Sequence, residues 1–463
     1  MENIDISQIL ECGKEMEGKK AIVAGWVRTA RDSKTMAFLA VNDGTSLKHL
    51  QIVIDKAKFT QEELAAVMKN GASVLAEGTV VAAMKEGEVE LNAENIELLG
   101  DCPSDYPLQK KYHTMEFLRT IPHLRPRTNT FNAMLRVRSK LSFAIHRFFQ
   151  ENGYTYVHTP IITGSDCEGA GEIFRVTTQD YKAAMKADDE ENYIANDFFR
   201  RKAGLTVSGQ LEGEVAAMAM GKIYTFGPTF RAENSNTPRH AAEFWQVEPE
   251  VAFAKLPDII EIAQSMIKYI IKAVLDECPA EIAFFENAFE KGLREKLQKV
   301  VDSEFVVLDY TDAIKILQDS KVDFGYPVEW GLDLQTEHER YITEQVFNKP
   351  VFVINYPKKI KSFYMKQNED GRTVAATDLL VPGVGEIIGC SEREADFDKL
   401  KQAMVERGMN LDDYKGYMDL RKYGSVPHSG FGLGLERILM YVTGLGNIRD
   451  VQLYARTAGD LMA

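Results

Sequence analysis

The chain has 463 residues, of which 45% are hydrophobic and 27% charged, and a net charge of −14. The length suggests about two or three domains, the apolar content is enough for at least one large core, and the composition argues against a disordered, collagen-like or mucin-like chain. No apolar run is long enough to span a bilayer, and the acidic residues 1–10 lack the basic region of a secretory signal. Five scattered cysteines (Cys12, Cys102, Cys167, Cys278 and Cys390), with no CxxC pair, argue against a disulfide framework or a zinc site. They fit a reducing cytoplasm.

The net acidity hides an uneven distribution. Residues 110–147 carry nine lysines and arginines against one acid, Glu116, and residues 21–60 carry six against three. A basic stripe on an acidic protein suits selective contact with a polyanion; the alternative is a solvated helix face with a charged linker.

In chain order, strands are expected near 21–27, 37–41, 50–54, 73–81 and 88–91, with a short helix at 61–69. Five short strands and one interposed helix match an oligonucleotide-binding barrel. Residues 103–130, with Pro103, Pro107, Pro122 and Pro126, read as a basic linker. From Asn132 apolar residues recur at helical spacing until Asn152-Gly153, and a strand at 154–158 runs to Pro160. Strand-like segments then follow near 205, 223, 245, 351 and 385, with helices at 256–276, 283–301 and 396–407 and one from 435. The fold class is therefore α+β, with a five-stranded barrel over 1–102, a linker over 103–130 and a second domain over 131–463.

Three segments carry chemistry. In the first, residues 226–245, a strand is expected to present Arg231 and Glu233 on one face. A polar turn then leads to Arg239 and His240, and a second strand starts at Glu243-Phe244. Guanidinium groups that bridge phosphate, beside a phenyl ring that stacks on a purine, suit a nucleotide. The second runs from His428 through Gly430, Gly432 and Gly434 to Glu436-Arg437. Its glycines suit close approach by a flat ligand, and Arg437 at a helix opening suits the second face of a base. The third, residues 378–393, is a strand, turn and strand that brings Asp378 and Glu386 side by side. Two such carboxylates with no base between them suit Mg2+ bridging to phosphates.

These residues resemble the class II aminoacyl-tRNA synthetases of the aspartate/asparagine/lysine subgroup, nearest to its asparagine members, over essentially the whole chain. Residues 226–250, with Phe230-Arg231-Ala232-Glu233, are similar to motif 2, and residues 430–442 to motif 3. The helix and strand near 141–160 are similar to motif 1, which builds the family's homodimer interface. The resemblance implies ATP-dependent formation of an aminoacyl-adenylate and transfer of the amino acid to the 3′ end of a tRNA, here tRNA(Asn), with ATP and Mg2+. It implies catalytic roles for Arg231, Glu233 and Arg437, and ATP binding by these with Arg239, His240, Phe244 and Glu386. Asp378 and Glu386 would hold the metal, and Arg28, Arg31, Phe38 and Gln51 would meet the anticodon on the barrel.

For the amino acid, Glu168, Ser208, Gln210, Glu248 and Arg393 are implied. Glu168 and Gln210 would meet the ammonium, which needs acceptors. Arg393 would donate to the side-chain carbonyl, and Glu248 would accept from the substrate amide. Aspartate members typically carry a lysine three positions after the glutamine; here that position is Gly213, which fits neutral L-asparagine better than aspartate. The alternatives are an aspartyl-tRNA synthetase charging one or both tRNAs, an ammonia-dependent asparagine synthetase on the same domain, and a tRNA-binding paralogue without activity. One departure stands out: Leu453-Tyr454-Ala455-Arg456 replaces the family's Pro-Phe-Pro-Arg.

Overall fold

The computed structural model describes residues 3–167, 173–180, 182, 189–235 and 237–461. The chain divides into two compact units, Met1–Ala133 and Met134–Ala463.

In the first unit, β1 (Lys20–Asp32), β2 (Met36–Asn42), β3 (Leu50–Asp55), β4 (Ser73–Ala82) and β5 (Val89–Gly100) close a barrel in the order β1-β2-β3-β5-β4. Antiparallel neighbours make most of the ladder, and β3 meets β5 in parallel, Gln51 opposite Glu90. Alternate residues, among them Val23, Leu39, Val41, Ile52, Val74 and Leu91, fill the interior. The helix Gln61–Val67 starts at a capping box, Thr60 with Glu63.

Two barrel strands are longer than expected. β1 passes through a bulge between Val27 and Thr29, and β5 continues nine residues beyond position 91 to Gly100. Opposite β5, a bulge between Glu77 and Gly78 shifts the inward phase from Ala93 to Ile96, which masks the period-two pattern. Gly78 is required there, because a Cβ would run into the Asn92 carbonyl.

The stretch 103–130 holds a short helix, Met115–Arg119, and a turn of 3-10 helix, Arg125–Arg127. Arg125 is fully buried with its guanidinium over the Phe131 ring, and Arg127 lies over Trp26.

The second unit is built on an eight-stranded sheet. Its strands are β6 (Thr155–Tyr156), β7 (Lys222–Phe230), β8 (Glu243–Ala252), β9 (Val306–Asp309), β10 (Val351–Ile354), β11 (Ala376–Val381), β12 (Gly385–Glu392) and β13 (His428–Gly434). Their order is β9-β10-β11-β12-β13-β8-β7-β6, antiparallel except for the outermost pair at each edge. The helix Asn129–Glu151 lays Leu141, Ile145 and Phe149 into the core, where Phe149 stacks on Tyr224 of β7 with centroids 4.5 Å apart.

Four sequence expectations change. The expected strand near 205 is a two-residue pairing, Gly204–Leu205 with Ile162–Thr163, outside the large sheet. The strand expected at 154–158 is reduced to β6. The helix expected at 283–301 is two, Pro279–Ala288 and Leu293–Asp302, broken where Gly292 takes a left-handed conformation at φ 79°. The bases of the helix Asn129–Glu151 do not form a free basic stripe, because they are taken up in ion pairs, although the side chains of Arg136 and Lys140 stay partly exposed. Arg136 pairs with Glu281 at 2.6 Å, Arg138 with buried Glu436 at 2.8 Å, and Arg147 with Glu277 at 2.7 Å.

Candidate active site

A cavity of about 380 Å³ opens over β8, β12 and β13. It is lined by Ser208, Gln210, Arg231, Glu233, Arg239, His240, Phe244, Glu248, Asp378, Glu386, Arg393 and Arg437. Segments more than 200 residues apart thus meet in one cleft. Glu168 lies outside the described residues.

At one end sit the groups expected to meet the nucleotide. β7 ends at Phe230, so Arg231 and Glu233 do not share a strand face as expected; they project from the irregular chain beyond it. The Arg231 guanidinium lies over the Phe244 ring, 5.4 Å from its centroid. Phe244 pairs across the ladder with Thr229, and Arg437 is the third residue of the helix Leu435–Thr443. His240 Nδ1 is held by the hydroxyls of Thr237 at 2.5 Å and Ser235 at 3.0 Å, and Arg239 donates to Thr336 at 3.3 Å.

The glycines of β13 differ in purpose. A Cβ at Gly430 would collide with the carboxylate of buried Glu250, whereas one at Gly432 would stand 3.2 Å from Gln246 Nε2. Gly430 therefore makes room for a protein carboxylate, not for a flat ligand.

Asp378 and Glu386 do face one another, across Gly389, where a Cβ would lie 3.4 Å from Glu386 and 3.7 Å from Asp378. They are not without bases, as the sequence suggested. Lys361 pairs with Asp378 at 2.5 Å, and Arg437 with Glu386 at 3.3 Å. A third carboxylate, Glu339, accepts from the Glu386 backbone N–H at 3.3 Å. Burial pushes Asp378 up to about 6, and burial with the charges of Glu386 and Asp378 pushes Glu339 up to about 8. Burial would raise Glu386 too, but Arg437 and then Lys361 draw it below the usual carboxylate range. Three carboxyls thus share two cations, and near neutral pH Glu339 keeps its proton while Asp378 and Glu386 are ionised; a hard divalent cation fits those two oxygen donors and would displace the proton on the third. Among the described residues no three potential ligands converge on one point. A metal here would take its remaining ligands from phosphate and water.

At the other end, Gln210 opens the helix Gln210–Met220 and donates its Nε2 to Glu214 at 3.0 Å. Glu248 is buried and accepts from the Ser208 hydroxyl, the Gly209 backbone N–H at 2.9 Å and Thr225 at 3.1 Å. Arg393 is bound on two nitrogens by Glu250, at 3.2 and 2.5 Å, and donates to Ser391 at 2.6 Å. A guanidinium has five N–H groups, so two remain for the cleft. A side chain at Gly213 would start 3.6 Å from Glu250 and 3.8 Å from Thr225, so that position borders the same floor.

Glu250, Lys361 and Glu339 belong to the site and went unnoticed in the sequence. Glu250 had a signal, since it lies two residues after Glu248 and therefore on the same strand face. Lys361 sits in the run Lys358-Lys359-Ile360-Lys361, which reads as a charged surface. On the barrel, Phe38 and Gln51 lie diagonally on one face of β2 and β3. Arg31 lies over the Phe38 ring at 4.5 Å, and Gln51 donates to Glu90 at 2.7 Å. Arg28 sits in the β1 bulge, half-buried.

The segment that departs from the family pattern borders the arginine loop: the Ala242 backbone N–H donates to the Arg456 carbonyl at 2.7 Å. No helix of the described residues is long and apolar enough to cross a membrane.

A family model for class II tRNA synthetases (D, K and N) matches residues 114–458, and one for an OB-fold nucleic acid binding domain matches residues 21–99. The chain is 56% identical to an asparagine–tRNA ligase of Clostridium perfringens (strain 13 / Type A), over 96% of each chain. It is 54% identical to that of Bacillus anthracis, over 99% of each. Among solved structures, asparaginyl-tRNA synthetase from Pyrococcus horikoshii complexed with asparaginyl-adenylate matches with a TM-score of 0.88 at 34% identity, covering 100% of this chain and 99% of that one. The chain belongs to the class II tRNA synthetases of the aspartate, lysine and asparagine group, and within it to the asparagine–tRNA ligases.

Proposed function

We infer that the cleft activates L-asparagine with ATP and passes it to the 3′ end of tRNA(Asn). The observation that carries this reading is the convergence of the arginine loop, the two-carboxylate hairpin and the glycine strand on one cavity. The asparagine carboxylate oxygen attacks the α-phosphorus, the bond to the β-phosphate breaks, and asparaginyl-adenylate and pyrophosphate result. A terminal ribose hydroxyl of the tRNA then attacks the acyl carbon, and AMP leaves. No side-chain nucleophile is required; positioning and charge stabilisation supply the acceleration.

In this reading Arg231 takes the α-phosphate and the substrate carboxylate, with Glu233 beside it in the same loop. Arg239 and His240 face the outer phosphates, and Phe244 and Arg437 flank the adenine. Asp378 and Glu386 would hold Mg2+, which would supply charge neutralisation at the phosphates. Gln210, with Glu168, accepts from the ammonium, and the two remaining N–H groups of Arg393 donate to the side-chain carbonyl. Glu248, whose oxygens already receive three donors, holds Ser208 and Gly209 in place as well as bordering the substrate amide. Gly213 leaves the floor without a second cation, which favours a neutral amide over a second carboxylate.

The barrel takes the anticodon, with Phe38 as a stacking platform, Gln51 as a hydrogen-bonding edge, and Arg28 and Arg31 toward phosphates. The helix Asn129–Glu151 and residues 154–160 form a homodimer interface. In support, Phe143 and Tyr156 expose 62% and 45% of their surface. A cytoplasmic location agrees with five cysteines that carry no disulfide. The domain limits proposed from the sequence, 1–102, 103–130 and 131–463, stand beside a compact first unit that continues to Ala133.

The test is charging of a tRNA(Asn) transcript with labelled asparagine. Charging that needs ATP and Mg2+, and does not occur with tRNA(Asp), supports the reading. Asparagine released free from aspartate and ammonia would instead favour a synthetase of the free amino acid.

A further inference from the structure

Behind Gln210 lies a polar network sealed from solvent. Glu214, one turn along the same helix, is fully buried. Its Oε1 receives the Gln210 amide at 3.0 Å and the Tyr417 hydroxyl at 2.8 Å. Its Oε2 receives Arg421 at 2.6 Å and lies 2.9 Å from His428 Nε2. Arg421 is further fixed by the Glu394 carbonyl at 2.8 Å and by the Tyr417 ring 4.1 Å away. Of these residues only Gln210 lines the cavity.

The network has a directional consequence. Burial would raise the Glu214 carboxyl, but Arg421 and then His428 hold it well below the usual carboxylate range, so it remains an acceptor only. Gln210 must therefore turn its NH2 toward Glu214, which leaves its Oε1 as the atom turned away from Glu214. Among the described residues nothing donates to that oxygen. The opposite amide rotamer has nearly the same shape, and it would present a donor to an ammonium that is itself all donor.

We propose that Glu214 is a positioning residue for amino acid selection: it fixes the Gln210 amide so that Oε1 receives the substrate's α-ammonium. This rests on the reading that Gln210 meets the ammonium. Gln210 supplies the contact, and Glu214 supplies its polarity from outside the cavity.

The test uses the full-length enzyme in ATP–pyrophosphate exchange, with thermal unfolding to monitor the fold. In Glu214→Gln the new carbonyl stays with Arg421 and His428, so its NH2 faces Gln210 and turns that amide over. KM for asparagine is expected to rise about tenfold to hundredfold, the loss of one charge-assisted hydrogen bond, while KM for ATP stays within about twofold. The double variant Gln210→Glu/Glu214→Gln restores an acceptor at position 210 and brings KM for asparagine back to within a few-fold of wild type. Where Glu214→Gln does not fold, Glu214→Asp keeps the charge beside Arg421 but withdraws from Gln210, and the same selective rise in KM for asparagine is expected. Parallel rises in both KM values, an unchanged KM for asparagine or failure of the double variant overturns the proposal. Gln210→Ala separates the two claims. If it leaves KM for asparagine unchanged, the reading of Gln210 falls; if it raises KM and Glu214→Gln does not, only the role of Glu214 falls.

Discussion

At Gly430 a Cβ would collide with the Glu250 carboxylate, which is fully buried against Arg393. Gly430→Ala must displace that ion pair, so a loss of roughly 3 kcal/mol or more is expected in urea unfolding. Gly432→Ala, which meets only the end of the Gln246 side chain at 3.2 Å, should cost far less. Gly213 tests selectivity at the same scale. Gly213→Lys would bring an ammonium to the Glu250 floor, in competition with Arg393. Exchange supported by asparagine should fall about tenfold or more relative to exchange supported by aspartate. A ratio that does not move would place position 213 outside the selection of the amino acid.

Elements carry a second layer of control. The segment Thr336–Val346, an α-helical turn continued as a π-helix, touches both the loop that carries Arg239 and the hairpin that carries Asp378 and Glu386. Thr336 receives Arg239, Glu339 receives the Glu386 backbone N–H, and Glu344 receives the Gly383 backbone N–H at 2.9 Å. Glu344→Ala removes the last of these and frees Arg340, its partner at 2.9 Å. The turn between β11 and β12 should loosen, and KM for ATP or the Mg2+ requirement should rise several-fold while KM for asparagine holds. Equal changes in both would argue for a general loss of structure.

Legibility in the sequence followed these elements. The barrel strands were visible from alternation, except where bulges at Val27 and Gly78 shifted the phase. The residues that meet in the cleft stood out where several special types crowd together, as from Arg231 to Phe244. Glu339 and Lys361 did not, because each sits in an ordinary charged stretch and gains its setting only from tertiary burial, whereas Glu250 is legible from its two-residue spacing to Glu248 on one strand. The partners of Arg136, Arg138 and Arg147 were likewise invisible, since they lie 130 or more residues away.

At the scale of the whole molecule, the chain forms two compact units, the first with a core of its own, and the proposed function gives tRNA recognition to the first and chemistry to the second. Phe38→Ala and Gln51→Ala should therefore lower kcat/KM for tRNA charging about tenfold to hundredfold, given the usual worth of a stacked base. Exchange without tRNA should be unaffected; a parallel loss would contradict the division of labour. The central claim is that this cleft activates asparagine and rejects aspartate. ATP–pyrophosphate exchange without tRNA, run with each amino acid in turn, tests it most directly. Exchange with asparagine at least a hundredfold more efficient than with aspartate, by about the several kcal/mol that an unpaired buried charge costs, is the result expected. Comparable exchange with aspartate would contradict the account.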